Sequence, residues 1–134
     1  MPPPLLDTSL LMRYLVDHPP DQAERAAVLL DSEETVLLSE LAIAEAAYVL
    51  TSFYDADRPK VVDVLIDFIQ RENVRLCRLS KPLAVQALEL CRPSRRVSFT
   101  DALLWAEARK MGVERVLTFD RRFPSQGLEL TGPG

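Results

Sequence analysis

Histidine and cysteine are scarce in this chain, and their scarcity excludes several kinds of site. The 134 residues include one histidine, His18, and two cysteines, Cys77 and Cys91. A Ser-His-Asp triad or a histidine-based zinc site would have to use His18, which stands beside two prolines. The cysteines are spaced too widely for a zinc pair and are too few for a disulfide framework. We therefore predict two ordinary buried thiols.

Long apolar runs are also absent. No stretch approaches the roughly 20 apolar residues that cross a bilayer, and the N-terminus lacks the basic flank and long apolar region of a signal peptide. We therefore expect a cytoplasmic protein with no membrane segment. The length predicts a single domain over residues 1–134, with a core at about 5–130 and a mobile tail at 131–134.

A strong excess of positive charge is missing as well. The net charge of -4 argues against a surface that attracts nucleic acid everywhere. The charge is uneven, because residues 1–91 contain 8 Lys and Arg against 15 Asp and Glu, whereas residues 92–134 contain 8 against 5. Four arginines of the second segment flank acidic positions: Arg95, Arg96, Arg121 and Arg122. They are either ordinary solvated residues or contacts for an anionic ligand.

Short β-rich runs alternate with longer segments of helical periodicity. Strands are predicted at 5–7, 35–39, 74–79, 115–119 and, at the sheet edge, 127–130. Helices are predicted at 9–16, 22–30, 40–53, 60–71, 82–91 and 98–111. Because right-handed crossovers place helices on both faces of a parallel sheet, we expect an α/β fold. It should have three layers, α/β/α, around a central, mostly parallel sheet of four to five strands.

Two aspartates lie at the carboxyl ends of predicted strands. Asp7 ends the stretch "PLLD", and Asp120 ends "VLTFD". An aspartate at such a position commonly caps a helix or forms a turn. In open parallel sheets, however, functional groups gather outside the carboxyl ends of the strands. We therefore expect both acids at the same edge of the sheet.

Two further acids lie in predicted helices. Glu45 is the only charged residue of "LAIAEAAYVL", and we expect its helix face to be largely covered. A buried carboxylate needs an arginine or a metal ion, and the alternative is a salt-bridged or solvent-reaching glutamate. Asp101 has capping-box spacing from Ser98, so it is either a helix-start residue or a functional acid. Glu40 begins its helix, and we interpret it as structural.

The four acids have a joint explanation if they converge in space. Clustered carboxylates repel one another unless a cation lies among them. Hard oxygen ligands suit Mg²⁺ or Mn²⁺, which also bind substrate phosphates. Two such ions about 4 Å apart can generate hydroxide for in-line attack and stabilise the leaving oxygen. The pattern therefore favours metal-dependent hydrolysis of a phosphate ester.

Four motifs resemble, in order and spacing, those of PIN-domain ribonucleases, especially the VapC-type toxins of toxin–antitoxin pairs. They are "LLDTSLLMRYL", "AEAAYVL", "FTDALLWAEARKMG" and "VLTFDRRF", and the resemblance runs from Leu5 to Leu130. It implies four catalytic and metal-binding acids, Asp7, Glu45, Asp101 and Asp120. It also implies two supporting polar residues, Ser9 and Thr118. Ser98 departs from the family pattern, because many relatives carry a further acid there.

The resemblance implies a function and several partners. The protein would be an endoribonuclease that uses Mg²⁺ or Mn²⁺ and hydrolyses RNA phosphodiester bonds by two-metal-type catalysis. It would be the toxin of a type II toxin–antitoxin system, a homodimer that is inhibited by a small cognate antitoxin. The four arginines named above would then be RNA-binding candidates.

Three other kinds of protein share part of this pattern but fit it less well. A catalytically weak PIN-like scaffold for RNA or protein would usually have lost some of the acids, and none is lost here. A haloacid-dehalogenase-type phosphotransferase needs a second aspartate two residues after the first, where this chain has Ser9. A response-regulator receiver would end within roughly one helix of its Lys-Pro pair, yet about 50 residues follow Lys81.

Overall fold

The structure, a computed structural model, describes residues 1–132. Its helices are α1 (Thr8–Val16), α2 (Pro20–Leu30), α3 (Glu40–Ser52), α4 (Arg58–Ile69), α5 (Lys81–Leu90) and α6 (Phe99–Met111). Its strands are β1 (Val36–Leu38), β2 (Val74–Leu76), β3 (Arg115–Leu117) and β4 (Glu129–Thr131). The predicted α/β class is confirmed. None of the described helices combines the length and the apolar character that a membrane crossing requires.

The strands pair in parallel, as predicted, but the ladders are short. β1 pairs with β2, and β3 pairs with β4, each over three residues. The N-terminal segment joins β1 through one bridge between Leu5 and Leu37. Its extension is limited because the preceding residues are prolines, which have no N–H to donate. Within residues 1–132 the sheet is therefore divided into two hydrogen-bonded parts, where a single sheet of four to five strands was expected.

Proline shifts the starts of three helices toward the N-terminus of the chain. α2 starts two residues earlier than predicted, at Pro20, and α4 also starts two residues earlier, at Arg58. α5 starts one residue earlier, at Lys81. Proline fits the first turn of a helix, because the N–H that it lacks would have no intrahelical partner there.

The first residue of the predicted C-terminal tail, Thr131, lies in a strand. Thr131 is the last residue of β4 and pairs with Leu117. Residues 133 and 134 of the predicted mobile tail lie outside the described residues. The last strand thus extends one residue beyond the predicted end of the core.

α3 lies at the centre of the core and carries Glu45. It packs against α1, α4 and α6. Ala46 and Ala47 are fully buried, and their small side chains allow neighbouring helices to approach closely. Ile43 is also fully buried, which stabilises the fold by about 1.5–3 kcal/mol relative to an exposed side chain. The position of α3 is therefore fixed by packing.

Glu40 anchors the start of α3 to the end of β2. Its side chain is only 5% exposed, and Oε2 accepts hydrogen bonds from the backbone N–H groups of Arg78 (2.9 Å) and Leu79 (2.8 Å). A buried carboxylate is tolerated when such donors satisfy it. The structural interpretation of Glu40 agrees with these contacts, which the sequence did not reveal.

The two cysteines differ in their surroundings. Cys91 is buried as predicted, and burial raises the pKa of its thiol to about 11. Cys77 is exposed, so the prediction of a buried thiol was wrong there. It directly follows β2, where the chain returns to the surface.

Candidate functional site

Asp7 is held at the start of α1 by its neighbour Ser9. Its Oδ2 accepts hydrogen bonds from the Ser9 hydroxyl and from the Ser9 backbone N–H, the latter at 3.1 Å. The hydroxyl first, and then the backbone N–H, lowers the pKa of Asp7 below its ordinary value. The residue is exposed. Asp7 is therefore an ionised carboxylate whose orientation is set by uncharged donors.

Glu45 is exposed, and the prediction that its helix face is covered was wrong. Leu41 and Tyr48, on the same face of α3, are 82% and 68% exposed. The buried side of α3 instead includes Ala42, Ile43, Ala46, Ala47 and Leu50. Periodicity could not identify the outward face, because apolar residues surround Glu45 on all sides of the helix. Burial therefore gives no reason for Glu45 to need a metal ion. A metal-binding role can rest only on its location beside other functional residues.

The structure brings Asp7 and Glu45 to one cleft. This cleft has a volume of about 340 Å³. Its lining includes both acids, Ser9 and Arg13 from α1, and the aromatic residues Phe53 and Tyr54. Two acids that are 38 positions apart in the sequence thus face the same space. Below, this space is called the acidic cleft.

Asp120 follows β3 and is paired with Arg122. Its Oδ1 accepts hydrogen bonds from the Arg122 backbone N–H at 2.8 Å and from Arg122 Nε at 3.1 Å. The backbone N–H and then the guanidinium lower the pKa of Asp120. The backbone N–H of Asp120 donates to Thr118 Oγ1 at 2.9 Å. Ser9 therefore contacts the carboxylate of Asp7, and Thr118 contacts the backbone of Asp120.

Asp101 lies in the first turn of α6. Its backbone N–H donates to Ser98 Oγ at 3.0 Å, so Ser98 caps the helix as the capping-box spacing indicated. The pKa of Arg122 is raised chiefly by Asp120 and to a smaller extent by Asp101. Arg122 is therefore within electrostatic reach of both acids.

The other arginine candidates occupy different places. Arg121 is exposed and lines a cleft of about 470 Å³ together with Thr118 and Asp120. Arg96 is exposed and contributes slightly to the lowered pKa of Asp120. Arg95 instead lines a separate cleft of about 590 Å³, beside Asp55. The structure thus brings three of the four arginines near Asp120.

The four acids have the right donor atoms for a metal ion, but within residues 1–132 they are not gathered around one point. Carboxylate oxygens are the donors that Mg²⁺ and Mn²⁺ prefer. Within residues 1–132, however, no three His, Cys, Asp or Glu side chains lie close enough together to hold an ion. Mg²⁺ is often bound by only one or two carboxylates, with water and substrate phosphate completing the set. The Asp7–Glu45 pair meets that description, whereas Asp120 is already neutralised by Arg122.

Among the lining residues of the acidic cleft that the sequence analysis missed are Arg13, Phe53 and Tyr54. Arg13 lies four residues after Ser9 on α1, so helical spacing could have placed it on the same face. Phe53 lies eight residues after Glu45, about two helical turns along α3. Tyr54 follows it directly. Helical spacing from Ser9 would have found Arg13, and helical spacing from Glu45 would have found Phe53.

Comparisons with known proteins identify the family of the chain. The PIN domain family matches residues 5–127, a range that contains all four acids. A VapC ribonuclease from Aquifex aeolicus (strain VF5) is 30% identical over 134 aligned residues, which cover 96% of this chain and 96% of that protein. The resemblance seen in the motifs is confirmed. The chain therefore belongs to the PIN-domain family.

Proposed function

We propose that this protein is a metal-dependent endoribonuclease and the toxin of a type II toxin–antitoxin system. The similarity to a VapC ribonuclease over 96% of the chain supports this activity. The structural observation that carries the proposal is the shared cleft of Asp7 and Glu45. No core packing requires two exposed carboxylates there, whereas a bound cation would explain both.

The proposed roles of the four acids rest on the family to which the chain belongs, and those of Ser9 and Thr118 also rest on their contacts. Asp7, Glu45, Asp101 and Asp120 would hold Mg²⁺ or Mn²⁺. Two-metal-type chemistry would then supply hydroxide and stabilise the leaving oxygen of the phosphodiester. Ser9 orients the carboxylate of Asp7, and Thr118 fixes the backbone at Asp120.

The arginines would act on the RNA backbone. A site with four carboxylates repels phosphate unless nearby cations reverse the local potential. Arg121 is exposed beside Asp120 and forms no ion pair within residues 1–132. Arg96 has the same exposure and lies near the same acid. Arg95 would act farther along the RNA, and Arg122 is occupied by Asp120.

Cleavage of RNA with and without a chelator tests the proposal. Purified, antitoxin-free protein is incubated with single-stranded and structured RNA in Mg²⁺ or Mn²⁺, with and without EDTA. We expect cleavage in both metals and none in EDTA. Cleavage that continues undiminished in EDTA would rule out the metal mechanism.

One observation favours a second candidate function, a catalytically weak scaffold that binds RNA or protein. The pairing of Asp120 with Arg122 leaves fewer than three acids gathered around any point within residues 1–132. A scaffold would bind RNA with the same affinity whether or not Mg²⁺ or Mn²⁺ is present, and would leave it intact. The incubation described above separates the two functions directly.

The proposed partners are RNA, a small cognate antitoxin and a second copy of the chain in the cytoplasm. A homodimer is supported by Leu41 and Tyr48, two large exposed apolar residues on one face of α3. Other apolar residues of the neighbouring helices, Met12, Val61 and Leu65, are buried in the core and are not available to a partner. Light scattering tests the dimer, and a short reading frame for a DNA-binding protein beside the gene would support the antitoxin.

A further inference from the structure

A second cleft continues from the acidic cleft along α1. It has a volume of about 420 Å³ and lies between α1 and α2. Its lining includes Ser9, Arg13, Gln22 and Arg25. Ser9 and Arg13 also line the acidic cleft, so the two spaces adjoin. We call the second space the basic cleft.

The two arginines of the basic cleft form no ion pair with a carboxylate within residues 1–132. Arg13 Nε donates to the neutral side chain of Gln22, at 2.7 Å from Oε1. Arg25 is exposed on α2. By contrast, Arg71 and Arg92 form ion pairs with carboxylates at 2.9 Å and 2.5 Å. A guanidinium that is positioned by an amide remains free to bind an anion.

Two aromatic side chains, Phe53 and Tyr54, also line the acidic cleft. Phe53 is 78% exposed and Tyr54 is 45% exposed. Their ring centroids are 5.0 Å apart, and the rings are tilted by 74° in an edge-to-face arrangement. Such a pair exposes ring surface to solvent, and unpaired nucleobases stack on exposed rings of this kind.

We propose that the two clefts form one track for unpaired, single-stranded RNA. Arg13 and Arg25 bind backbone phosphate at one end, and Phe53 and Tyr54 stack on an unpaired base at the other. Asp7 and Glu45 line the same cleft as Arg13, Phe53 and Tyr54. The inference rests on the proposed ribonuclease function and names the residues, outside the four acids, that position the strand.

The charges in the clefts favour a nucleotide over a protein surface as the occupant. The lining includes three exposed or half-exposed charged residues, Asp7, Glu45 and Arg13. Sealing these groups under a protein partner would remove their hydration at a large cost. A nucleotide supplies both a phosphate for the arginine and a flat base for the rings, and its remaining oxygens stay in water.

Binding measurements at several salt concentrations test the track. Fluorescence anisotropy with labelled single-stranded RNA is used in an Asp101→Asn background, so that cleavage does not interfere. In Arg13→Gln/Arg25→Gln we expect the slope of log affinity against log salt to fall by about 0.7 for each lost phosphate contact. Arg75→Gln, an exposed arginine on β2 outside both clefts, is the matched control and should leave the slope unchanged.

Removal of an aromatic ring should lower RNA affinity without changing its salt dependence. Phe53→Ala should weaken single-stranded RNA binding by about 5- to 100-fold, with the salt slope unchanged. Phe53→Leu keeps an apolar side chain without a ring, and it should show the same loss if stacking is the cause. Met111→Ala is the control, since Met111 is a large exposed apolar residue outside the lining of both clefts. Duplex RNA should be insensitive to the Phe53 variants.

Two results would overturn the inference. Salt slopes of the Arg13/Arg25 variant equal to that of Arg75→Gln would remove the phosphate end. If Phe53→Ala altered the oligomeric state in light scattering while RNA affinity stayed unchanged, the rings would belong to a protein interface. The failure of the proposed function is recognised separately, because wild-type protein would then bind RNA along this track without cutting it in Mg²⁺ or Mn²⁺.

Discussion

The two halves of the candidate site hold their carboxylates in different ways. At Asp7 the hydrogen-bond donors are the hydroxyl and backbone N–H of Ser9, which carry no net charge. At Asp120 the donors include the guanidinium of Arg122. Both contacts lower the pKa of the aspartate, but only the second neutralises its charge. We therefore expect a cation to bind first at the Asp7 half, and Asp120 to join when its pair with Arg122 opens.

The Asp7 half is also more closely packed than the Asp120 half. The Asp7 half is built on α1 and α3, and α3 is buried on three sides by other helices. The Asp120 half follows β3, where Leu117 and Phe119 are 70% and 85% exposed. A segment with fewer buried contacts opens at lower cost. The comparison indicates a preformed half and an adjustable half.

The largest expected effect is the loss of cleavage when the preformed half is altered. Asp7→Asn removes the negative charge while preserving the cap, since Asn and Asp are equally good at an N-cap. We expect cleavage to fall by at least about 100-fold, because metal binding contributes several kcal/mol of transition-state stabilisation. Circular dichroism should show an intact fold. Equal loss of cleavage in Glu40→Gln would contradict the assignment of roles.

Glu40, which anchors the start of α3, should affect stability rather than cleavage. Glu40→Gln weakens two buried hydrogen bonds to backbone N–H groups by removing their charge. We expect the free energy of unfolding to fall by about 1–3 kcal/mol, with cleavage retained. Urea denaturation measures this, and Glu33→Gln, an exposed glutamate, is the control. A stability equal to that of the control would mean that these bonds contribute nothing net.

The adjustable half can be tested with two neighbouring arginines. Arg122→Gln removes the cation that competes for Asp120, so Mn²⁺ should bind more tightly, by up to about 5-fold for an exposed ion pair. Arg121→Gln removes the same charge one residue earlier without breaking that pair, and it should change Mn²⁺ affinity less. Calorimetric titration measures both. Identical changes would show that net charge alone controls the binding of the ion.

The same two arginines should differ toward RNA. Arg121→Ala should reduce the salt slope of RNA binding by about one unit in the Asp101→Asn background, because its guanidinium is available to phosphate. Arg122→Ala should reduce the slope less, since Asp120 already occupies that side chain. If the double variant kept the wild-type slope, both arginines would serve only to shape the loop.

The smallest expected effect is on the pH dependence of stability. The pKa of Asp120 is lowered from its ordinary value of 3.8, so the ionised form is favoured in the folded state. Its contribution is present above that ordinary value and is lost as the pH falls through the folded pKa. The stability difference between wild type and Asp120→Asn should therefore shrink below about pH 4. A difference that is constant across this range would contradict the pairing.

Local sequence rules predicted the helix starts beside two of the acids. Asp7 caps α1, and Ser98 caps the helix that carries Asp101. These features depend on short-range hydrogen bonds, which the order of residues largely determines. The predicted strand before Asp7 is reduced to one bridge at Leu5, and β3 ends at Leu117, three residues before Asp120. The order of the four motifs also predicted the family, because their spacing reflects the whole fold.

Features that depend on tertiary packing were not predicted. The rotation of α3 about its axis decides that Glu45 is exposed, and a helix of mostly apolar residues contains no signal for that rotation. The partner of Asp120 was also missed, because Arg121 and Arg122 are equivalent in the sequence and only the turn after β3 distinguishes them. The donors to Glu40 lie 38 and 39 positions away, beyond any local pattern.

The only tryptophan of the chain gives the adjustable half an optical reporter. Trp105 lies on α6 about one turn after Asp101, is 4% exposed, and its Nε1–H donates to the backbone oxygen of Gln126 at 2.9 Å. This bond joins α6 to the segment that follows Asp120. Undocking of that segment would admit water to the indole and shift its fluorescence to longer wavelength. Emission from the unlabelled protein would therefore follow, in real time, whether the Asp120 half moves as a whole or only the Arg122 side chain rotates away.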